Sequence, residues 1–550
     1  MGPRLSGSLT FYRDGAEIKA EIAGYSAVCK QVGSRLEATF GNGLGEFKGR
    51  FVNGGIEGHW IQPQGTVLGL PFASPVKLDL RPGHVWVGEV KPLQDVATFF
   101  LVLRPTPEGK VSVFLRNPER NLGLFIQADE LTSDTEGIHL KGTYLRSEDR
   151  VELARGSYDK SNEIISLYFP GRPMSFQFTK AATNEFSEFY PRPKGDRAYH
   201  YRPPVSLPDG WDVGDAGAAG ISVPALERFI QMIIDQPDDS VHQLRVHGIL
   251  LARNGKLVLD EYFHGYSANT PHDLRSAAKS LTSILAGVAM RESKTLSLRT
   301  RVLDVLGPTE QVKASDPRKA KITVENLLTM SAGLDCDDRN PNSPGNEDVM
   351  QSQSRDPDWY HFALNLPMAF EPGAQSVYGG ALPNLLGGVI AADRNVWLPE
   401  YFRDRVAKPL DIDEYYVPLA PDGQAYMGGG VQLRPRDFLK LGQLMLDGGI
   451  WKGRRILEKS YVDLATQPHY ELRGIRYGFL WWVIEYPFRG QTLQAFFAGG
   501  NGGQVVIVIP KLDLVFGCVA GNYSDSSTYI PQREFVPKYV LPMMLDGEKS

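Results

Sequence analysis

Only three cysteines occur in 550 residues, Cys29, Cys336 and Cys518, far apart and without CxxC spacing. Neither a disulfide framework nor a zinc cluster is therefore expected. The ten histidines include no HExxH and no His-x-His pair, so metal catalysis has no support and no cofactor is required. No apolar run reaches the roughly 18 residues that a membrane span needs. The N-terminal MGPRLSGSLTFY enters a strand-like pattern without the apolar centre of a signal peptide. The compartment stays open: a soluble protein, cytoplasmic, or periplasmic or secreted where a leader has been removed. Lys and Arg number 59 against 64 Asp and Glu, a formal net charge of -5 with interspersed signs. That balance offers no basic stripe to nucleic acid and no polybasic patch to anionic lipid. Small-molecule chemistry is the class left standing, and nothing excludes a homodimer.

What is present is apolar residue, 42% of the chain, enough for two or three domains with their own cores. From about residue 5 to 185 the pattern is alternation broken by short turns. In GEFKGRFVNGGIEGHWIQ, Phe47 and Phe51 share one face, Asn53-Gly54 offers a hairpin turn, and Ile56 and Trp60 continue on the partner strand. GIHLKGTYL, VELARGSYD and EIISLYF repeat the rhythm. Residues 1–190 are thus expected to form an antiparallel β domain, a barrel of the lipocalin-like kind or a sandwich, because successive hairpins must close or cover their edges. The spacing from Gly49 to Trp60 is loosely echoed from Gly156 to Phe169, too weakly to mark a duplication. Residues 191–219 have the Pro, Gly and charge content of a linker.

From 220 to 550 the character changes. SVPALERFIQMIIDQ reads as a helix capped by Ser222 with Pro224 in its first turn. HGILLARNGKLVLDEYFHGY is a strand pair around Asn254-Gly255. Helical patterns dominate from Ser276 to about 445, and strands return in RYGFLWWVIEY, LQAFFAGG, GQVVIVIP and DLVFGCVAG. Strands at both ends of a helical middle imply an α/β (α+β) domain in which one antiparallel sheet, built from both termini, is flanked by helices and carries a helical lobe.

Within DLRSAAKSLTSILAGVAM, Ser276 and Lys279 stand three positions apart at the start of an amphipathic helix pattern. That spacing puts both side chains on one face, and the helix start favours developing negative charge. A serine hydroxyl attacks only when a base takes its proton, and a lysine serving as that base would need desolvation to bring its pKa from about 10.4 towards 7 to 8. A second match, Ser74 to Lys77, contains a proline beside a strand-like run and reads as chance.

Seven stretches come in the order found in the serine β-lactamase-like superfamily: HGILLARNGKLVLDEYFHGY, LRSAAKSLTSILAGVAM, ITVENLLTMSAGLD, FEPGAQSVYGGALPNLLGGVIAA, YMGGGVQLRPRDFLKLGQLMLDGGIWKGRRIL, YGFLWWV and FFAGGNGGQVVIVIPKLDLVF. Residues 220 to 545 resemble that group, which includes class C β-lactamases, penicillin-binding carboxypeptidases, family VIII esterases and nylon-oligomer hydrolases. The resemblance implies Ser276 as nucleophile, Lys279 as its proton partner and Tyr378 of VYGG as the tyrosine of the Tyr-x-Asn element. It also implies an oxyanion hole made by the backbone N–H groups of Ser276 and of the segment near Asn501, beside Gly499 and Gly500. Two departures stand out. Gly380 replaces the asparagine of Tyr-x-Asn, with Asn384 too far along to substitute for it. Ala498-Gly499-Gly500 replaces the Lys-Thr-Gly or His-x-Gly strand and so lacks its cation.

Both departures favour small esters, then neutral amides, over β-lactams or D-Ala-D-Ala peptides, and acyl transfer belongs to the same chemistry. Trp359, Tyr360, Trp481 and Trp482 are expected as walls of an apolar acyl pocket. His361 and His469 are expected to be structural, since no Gly-x-Ser-x-Gly elbow accompanies them. The alternative of another class is a ligand-binding protein whose β domain acts while the hydrolase part is vestigial.

Overall fold

In the N-terminal region, alternation translates into register. Asn53 and Gly54 both take positive φ (48° and 83°), the geometry of a two-residue hairpin turn. The strands they join, Gly45–Val52 and Gly55–Gln62, pair Phe47 with Trp60 and Phe51 with Ile56. The structure is a computed structural model describing residues 4–65, 69–94, 97–120, 122–145, 147–170, 174–181, 188–193, 198–237, 241–307, 312, 315–523 and 525–545. Eight strands between Gly7 and Val90 pair in sequence, and the last, Val85–Val90, bonds both Phe72–Arg81 and Gly7–Asp14. This closes an up-and-down barrel. Leu9, Phe11, Phe40, Phe47 and Trp60 fill its interior, with Phe11 against Phe47 at 5.0 Å and Phe40 against Trp60 at 5.5 Å between ring centroids.

The region expected to hold one barrel or sandwich contains a second β unit. Seven strands from Phe100–Pro105 to Met174–Thr179 form a consecutive antiparallel meander with a core of its own around Leu115, Leu140, Leu153 and Leu167. Two separate apolar interiors follow from two separate runs of alternation. Downstream, residues 198–219 lie against the third part of the chain: the Tyr201 hydroxyl donates to the Val258 carbonyl at 2.9 Å and Trp211 Nε1 to the Arg436 carbonyl at 3.0 Å.

That third part is built on an eight-stranded antiparallel sheet in the order Lys256–Tyr262, Val246–Arg253, Leu514–Ala520, Gln504–Ile509, Gln491–Gly500, Trp482–Phe488, Ile475–Tyr477 and Tyr470–Leu472. Strands from both ends of the segment meet at its centre, because Val246–Arg253 pairs with Leu514–Ala520. Helix Val223–Ile234 and the C-terminal Pro531–Val540 cover one face. Ser222 stands at the N-cap of the former, although its hydroxyl makes no capping bond. Helices Ala278–Glu292 and Pro435–Leu446, with the helical lobe behind them, cover the other. Among the described residues no helix is long and apolar enough to cross a membrane.

Helix Ala278–Glu292 is not the amphipathic helix that its sequence suggests: every residue from Ala278 to Ala289 is buried. Its polar side chains find partners inside. The Ser280 hydroxyl donates to the Leu480 carbonyl at 2.6 Å, Thr282 to the Met427 carbonyl at 2.8 Å, and Ser283 lies 2.9 Å from the Tyr461 hydroxyl. Hydroxyls satisfied in this way can enter a core at little cost.

The barrel is stitched to this part by backbone bonding. Ala73 and Phe72 of barrel strand Phe72–Arg81 pair with Val417 and Pro418; Tyr415 and Tyr416 pair with Leu433 and Gln432; these pair in turn with His272 and Asp273. Side chains reinforce the seam, with Arg50 on Asp404 and Lys408 on Glu57, both at 2.6 Å. Thr282→Val is expected to leave the Met427 carbonyl without its donor inside the core, lowering stability by about 1 to 3 kcal/mol. Chemical denaturation would read that loss, and an unchanged midpoint would show that the bond contributes nothing.

Candidate active site

The barrel ladder ends three residues before Ser276. From Asp273 the chain turns sharply: Arg275 takes φ 48°, a left-handed conformation that costs a bulky residue about 1 kcal/mol or more. The turn is held from both sides. The Arg275 N–H donates to Asp273 Oδ1 at 2.9 Å, and its carbonyl accepts the Gly430 N–H at 3.2 Å. Ser276 is the middle residue of the 3-10 turn Arg275–Ala277, which runs into helix Ala278–Glu292.

One helical turn on, Lys279 Nζ donates to Ser276 Oγ at 3.1 Å. Lys279 is 1% exposed, and its ammonium lies 5.0 Å from the centroid of the Tyr378 ring. The structure therefore brings Ser276, Lys279 and Tyr378 together. It departs from the sequence expectation in the lysine's proton affinity. Burial pushes the Lys279 pKa down, but Tyr378, Glu347 and Asp338 together outweigh burial and raise it above the ordinary lysine value. The resting side chain is an ammonium.

The carboxylates responsible went unnoticed in the sequence. Asp338 brackets the tyrosine turn: its N–H donates to the Tyr378 carbonyl at 3.0 Å, and its Oδ2 accepts the Gly380 N–H at 2.8 Å. Its Oδ1 accepts the Glu347 N–H at 2.9 Å. Glu347 Oε1 takes the Tyr426 hydroxyl at 2.5 Å and the Gln351 amide at 3.2 Å. A Cβ placed on Gly380 would come within 2.9 Å of the Tyr426 hydroxyl oxygen and 3.3 Å of the Glu347 carboxyl carbon. The space beside the missing asparagine is thus filled by a phenol and a carboxylate. The available signal was the acidic run Asp335, Asp337, Asp338 just after TMSAGL and the triple glycine after Tyr426-Met427. Asn384 is remote from this role; it is fully buried and accepts the Met427 N–H at 3.2 Å.

Gly499 and Gly500 end strand Gln491–Gly500 where its neighbour Trp482–Phe488 has already stopped pairing, at Phe497. A Cβ on Gly500 would lie 2.3 Å from the Leu274 carbonyl oxygen and 3.2 Å from the Ser276 nitrogen. Only glycine allows that strand edge so close to the Ser276 turn. Asn501, next along, accepts the Gln504 side-chain amide on its carbonyl at 3.2 Å and the Thr528 hydroxyl on its Oδ1 at 3.4 Å.

Of the four aromatic residues expected as pocket walls, Trp482 lies beside Tyr378, stacked at 5.7 Å with 23° between planes. Trp359 and Trp481 are core, at 1% and 0% exposure, and Tyr360 anchors its hydroxyl on the Ala425 carbonyl at 2.9 Å. Arg473 lies over the Tyr378 ring, its guanidinium carbon 4.4 Å from the centroid. His361 pairs with Asp356 at 2.5 Å, and the His469 ring stacks on Phe479. Ser74 and Lys77 sit in a barrel strand, where three-residue spacing points side chains to opposite faces. A cavity of about 570 Å³ lies where barrel, second β unit and third part meet, lined by residues such as Arg120, Tyr266, Asp273 and Tyr523, with none of Ser276, Lys279 or Tyr378 in its wall.

A family model described as Beta-lactamase matches residues 226–521. The 6-aminohexanoate-dimer hydrolase of Paenarthrobacter ureafaciens is 23% identical over 231 residues, covering 39% of this chain and 55% of that protein. The chain thus spans about half the length of this curated relative. Among solved structures, a family VIII carboxylesterase is similar at 19% identity and a TM-score of 0.43, covering 56% of this chain and 96% of the other. The simvastatin synthase LovD of Aspergillus terreus is similar at 20% identity and a TM-score of 0.40, with 52% and 90% covered.

Two outcomes follow from the geometry. Gly500→Ala would force a methyl group onto backbone atoms that cannot turn aside, so a loss of about 1 to 3 kcal/mol is expected, together with loss of any reaction at Ser276; a fully stable, fully reactive variant would contradict the close approach. Burial, opposed by Lys279 and assisted by Glu347, pushes the Asp338 carboxyl up to about 7. The folded protein therefore holds a proton that the unfolded chain has released. This contribution is complete below the unfolded carboxyl value of about 4 and is lost as pH rises through about 7. Thermal melts between pH 5 and 8 should decline in the parent protein and decline less in Asp338→Asn; parallel slopes would count against it.

Proposed function

The chain belongs to the Beta-lactamase family, and from that premise we propose that it is a serine hydrolase that cleaves small carboxylic esters through an acyl-enzyme. The observation that carries this reading is the 3.1 Å hydrogen bond from buried Lys279 to the Ser276 hydroxyl beside Tyr378. An ammonium cannot accept the serine proton. In the proposed reaction Tyr378 is the base, its phenolate form taking that proton as Ser276 Oγ attacks the ester carbonyl. Lys279 holds the phenolate and the nucleophile together.

The carbonyl oxygen becomes an oxyanion next to the backbone N–H of Ser276 and the edge of Gly499, Gly500 and Asn501. Each such donor is worth about 10² to 10³ in rate. Two features support the assignment: the contact distances that a Cβ at Gly500 would make, and the absence, among the described residues, of an acceptor for the Ser276 N–H. The tetrahedral intermediate collapses by breaking the bond to the alcohol oxygen, which receives the proton from Tyr378. Water, losing a proton to the same phenolate, then attacks the acyl-serine; the second tetrahedral intermediate breaks its bond to Ser276 Oγ, which takes that proton back from Tyr378 as the acid is released. Neutral amides are second in preference, because no side-chain amide stands at position 380 to orient an acylamide. The similarity to a 6-aminohexanoate-dimer hydrolase supports the hydrolase class.

Ser276→Ala should abolish both hydrolysis of a short p-nitrophenyl ester and covalent labelling by a fluorophosphonate, and Tyr378→Phe should lower hydrolysis about 10² to 10⁴-fold. Turnover retained in Ser276→Ala would refute the assignment. Rates on nitrocefin comparable to those on the ester would move the substrate class to β-lactams.

A further inference from the structure

The strand that carries a cation in related sites is Ala498-Gly499-Gly500 here, yet positive charge reaches the site from elsewhere. Arg473 sits on the two-residue turn that joins Tyr470–Leu472 to Ile475–Tyr477, where Arg473 and Gly474 both take positive φ, 59° and 74°. This is the turn geometry in which Asn-Gly is preferred and a long side chain at the first position is disfavoured. The chain accepts that cost and thereby fixes an exposed guanidinium 4.4 Å from the centroid of the Tyr378 ring. A guanidinium over an aromatic face keeps donors at its edges available for a ligand.

Arg339, also exposed, follows directly on Asp338. It is the largest charged influence on Arg473, as a like charge. Among the described residues neither guanidinium has an ion pair, whereas nearby Arg275 has Asp273 at 3.6 Å and Arg476 has Glu485 at 2.7 Å. The adjacent carboxylates are committed inward: Asp338 to two backbone N–H groups, Glu347 to the Tyr426 hydroxyl. Arg473 thus stands over the ring of the phenol that the proposed reaction uses, within the electrostatic reach of Arg339, and neither arginine is paired to a carboxylate among the described residues.

We propose that Arg473 and Arg339 form a recognition site for a carboxylate carried by the substrate at a distance from its scissile ester. The inference rests on the serine hydrolase reading for the reaction and adds the substrate class: half-esters of dicarboxylic acids and similar anionic esters. A guanidinium fork pairs with a carboxylate through parallel charge-assisted hydrogen bonds, and the site replaces the missing strand cation with cations from two loops.

The test compares mono-4-nitrophenyl glutarate with 4-nitrophenyl butyrate, using the full chain and the variants Arg473→Asn and Arg339→Gln. The parent protein should prefer the anionic ester in kcat/KM, and the preference should weaken as salt is raised. Arg473→Asn should lower kcat/KM for the glutarate ester about 10- to 100-fold more than for the butyrate ester, with Arg339→Gln shifting it the same way. Asparagine suits the left-handed turn position, so the melting temperature should hold or rise and misfolding cannot mimic the result. Equal losses on both esters, or a parent preference for butyrate, would overturn the site and leave Arg473 as a support for Tyr378. Calorimetric titration of Ser276→Ala with glutarate separates the two readings. Binding that Arg473→Asn removes upholds the site even if no ester is cleaved, and turnover of butyrate without any glutarate binding sinks the site while sparing the hydrolase.

Discussion

An ammonium group buried in the middle of a protein is the constraint around which the rest of this site is arranged. Removing such a charge from water costs several kcal/mol unless the interior supplies compensating groups. Here compensation comes from Tyr378, Glu347 and Asp338, which arrive on separate segments. Each must then be held in place. Asp338 does so for its neighbours, since its backbone N–H and one carboxylate oxygen grip the chain on either side of Gly379. The same cation that enforces this order donates to the Ser276 hydroxyl.

Rigidity of the Ser276 turn has a second source. Helix Ala278–Glu292 is enclosed all round, so its first turn cannot drift without repacking both the sheet and the helical lobe. On the other side, Gly500 presses backbone against backbone. A third restraint is the ladder of paired strands that leads from the barrel through Tyr415–Pro418 and Gln432–Leu433 to Asp273. The barrel interior is packed with Phe and Trp side chains. The barrel is joined by backbone pairing to the strand from which the left-handed Arg275 departs. Sites supported in this way by regular elements hold their geometry more closely than sites on free loops.

How far these features could be read from sequence depended on their range. Hairpins at Asn53-Gly54 and Asn254-Gly255 are specified by two residues and their flanks, and they form at the expected places. Ser276 and Lys279 are likewise a local pattern, while Tyr378 was reachable only through resemblance, since nothing in its own surroundings points to position 276. Asp338, Glu347 and Tyr426 were missed because their relation to Lys279 exists only after folding joins segments dozens of residues apart. The amphipathic reading of the helix failed for a different reason. Ser280, Thr282 and Ser283 count as polar in any periodic pattern, yet each is satisfied by a distant partner and enters the core. The tryptophans mark the same limit, for neighbouring Trp481 and Trp482 differ in burial by the side of the chain they face. The second β unit escaped notice because alternation gives strand content without saying where one closed set of hairpins ends and another begins.

The exchange at position 380 bears on substrate choice through hydrogen-bond arithmetic. An asparagine side chain offers both donors and an acceptor, and can meet an acylamide at its carbonyl and its N–H together. The groups filling the neighbouring space here are a carboxylate and a phenol whose one proton is already given to that carboxylate. Such a pair has no proton to offer an acyl carbonyl. In the proposed reaction, donation to the substrate falls to backbone N–H groups near Ser276 and Gly500 and to the proposed arginine pair, groups that would serve an ester as well as an amide. An amide binding there would gain no partner for its carbonyl that an ester lacks, while its leaving amine would still need protonation before departure. Under the proposed function this balance favours oxygen leaving groups, with the proposed arginine pair reading the charge carried by the rest of the substrate.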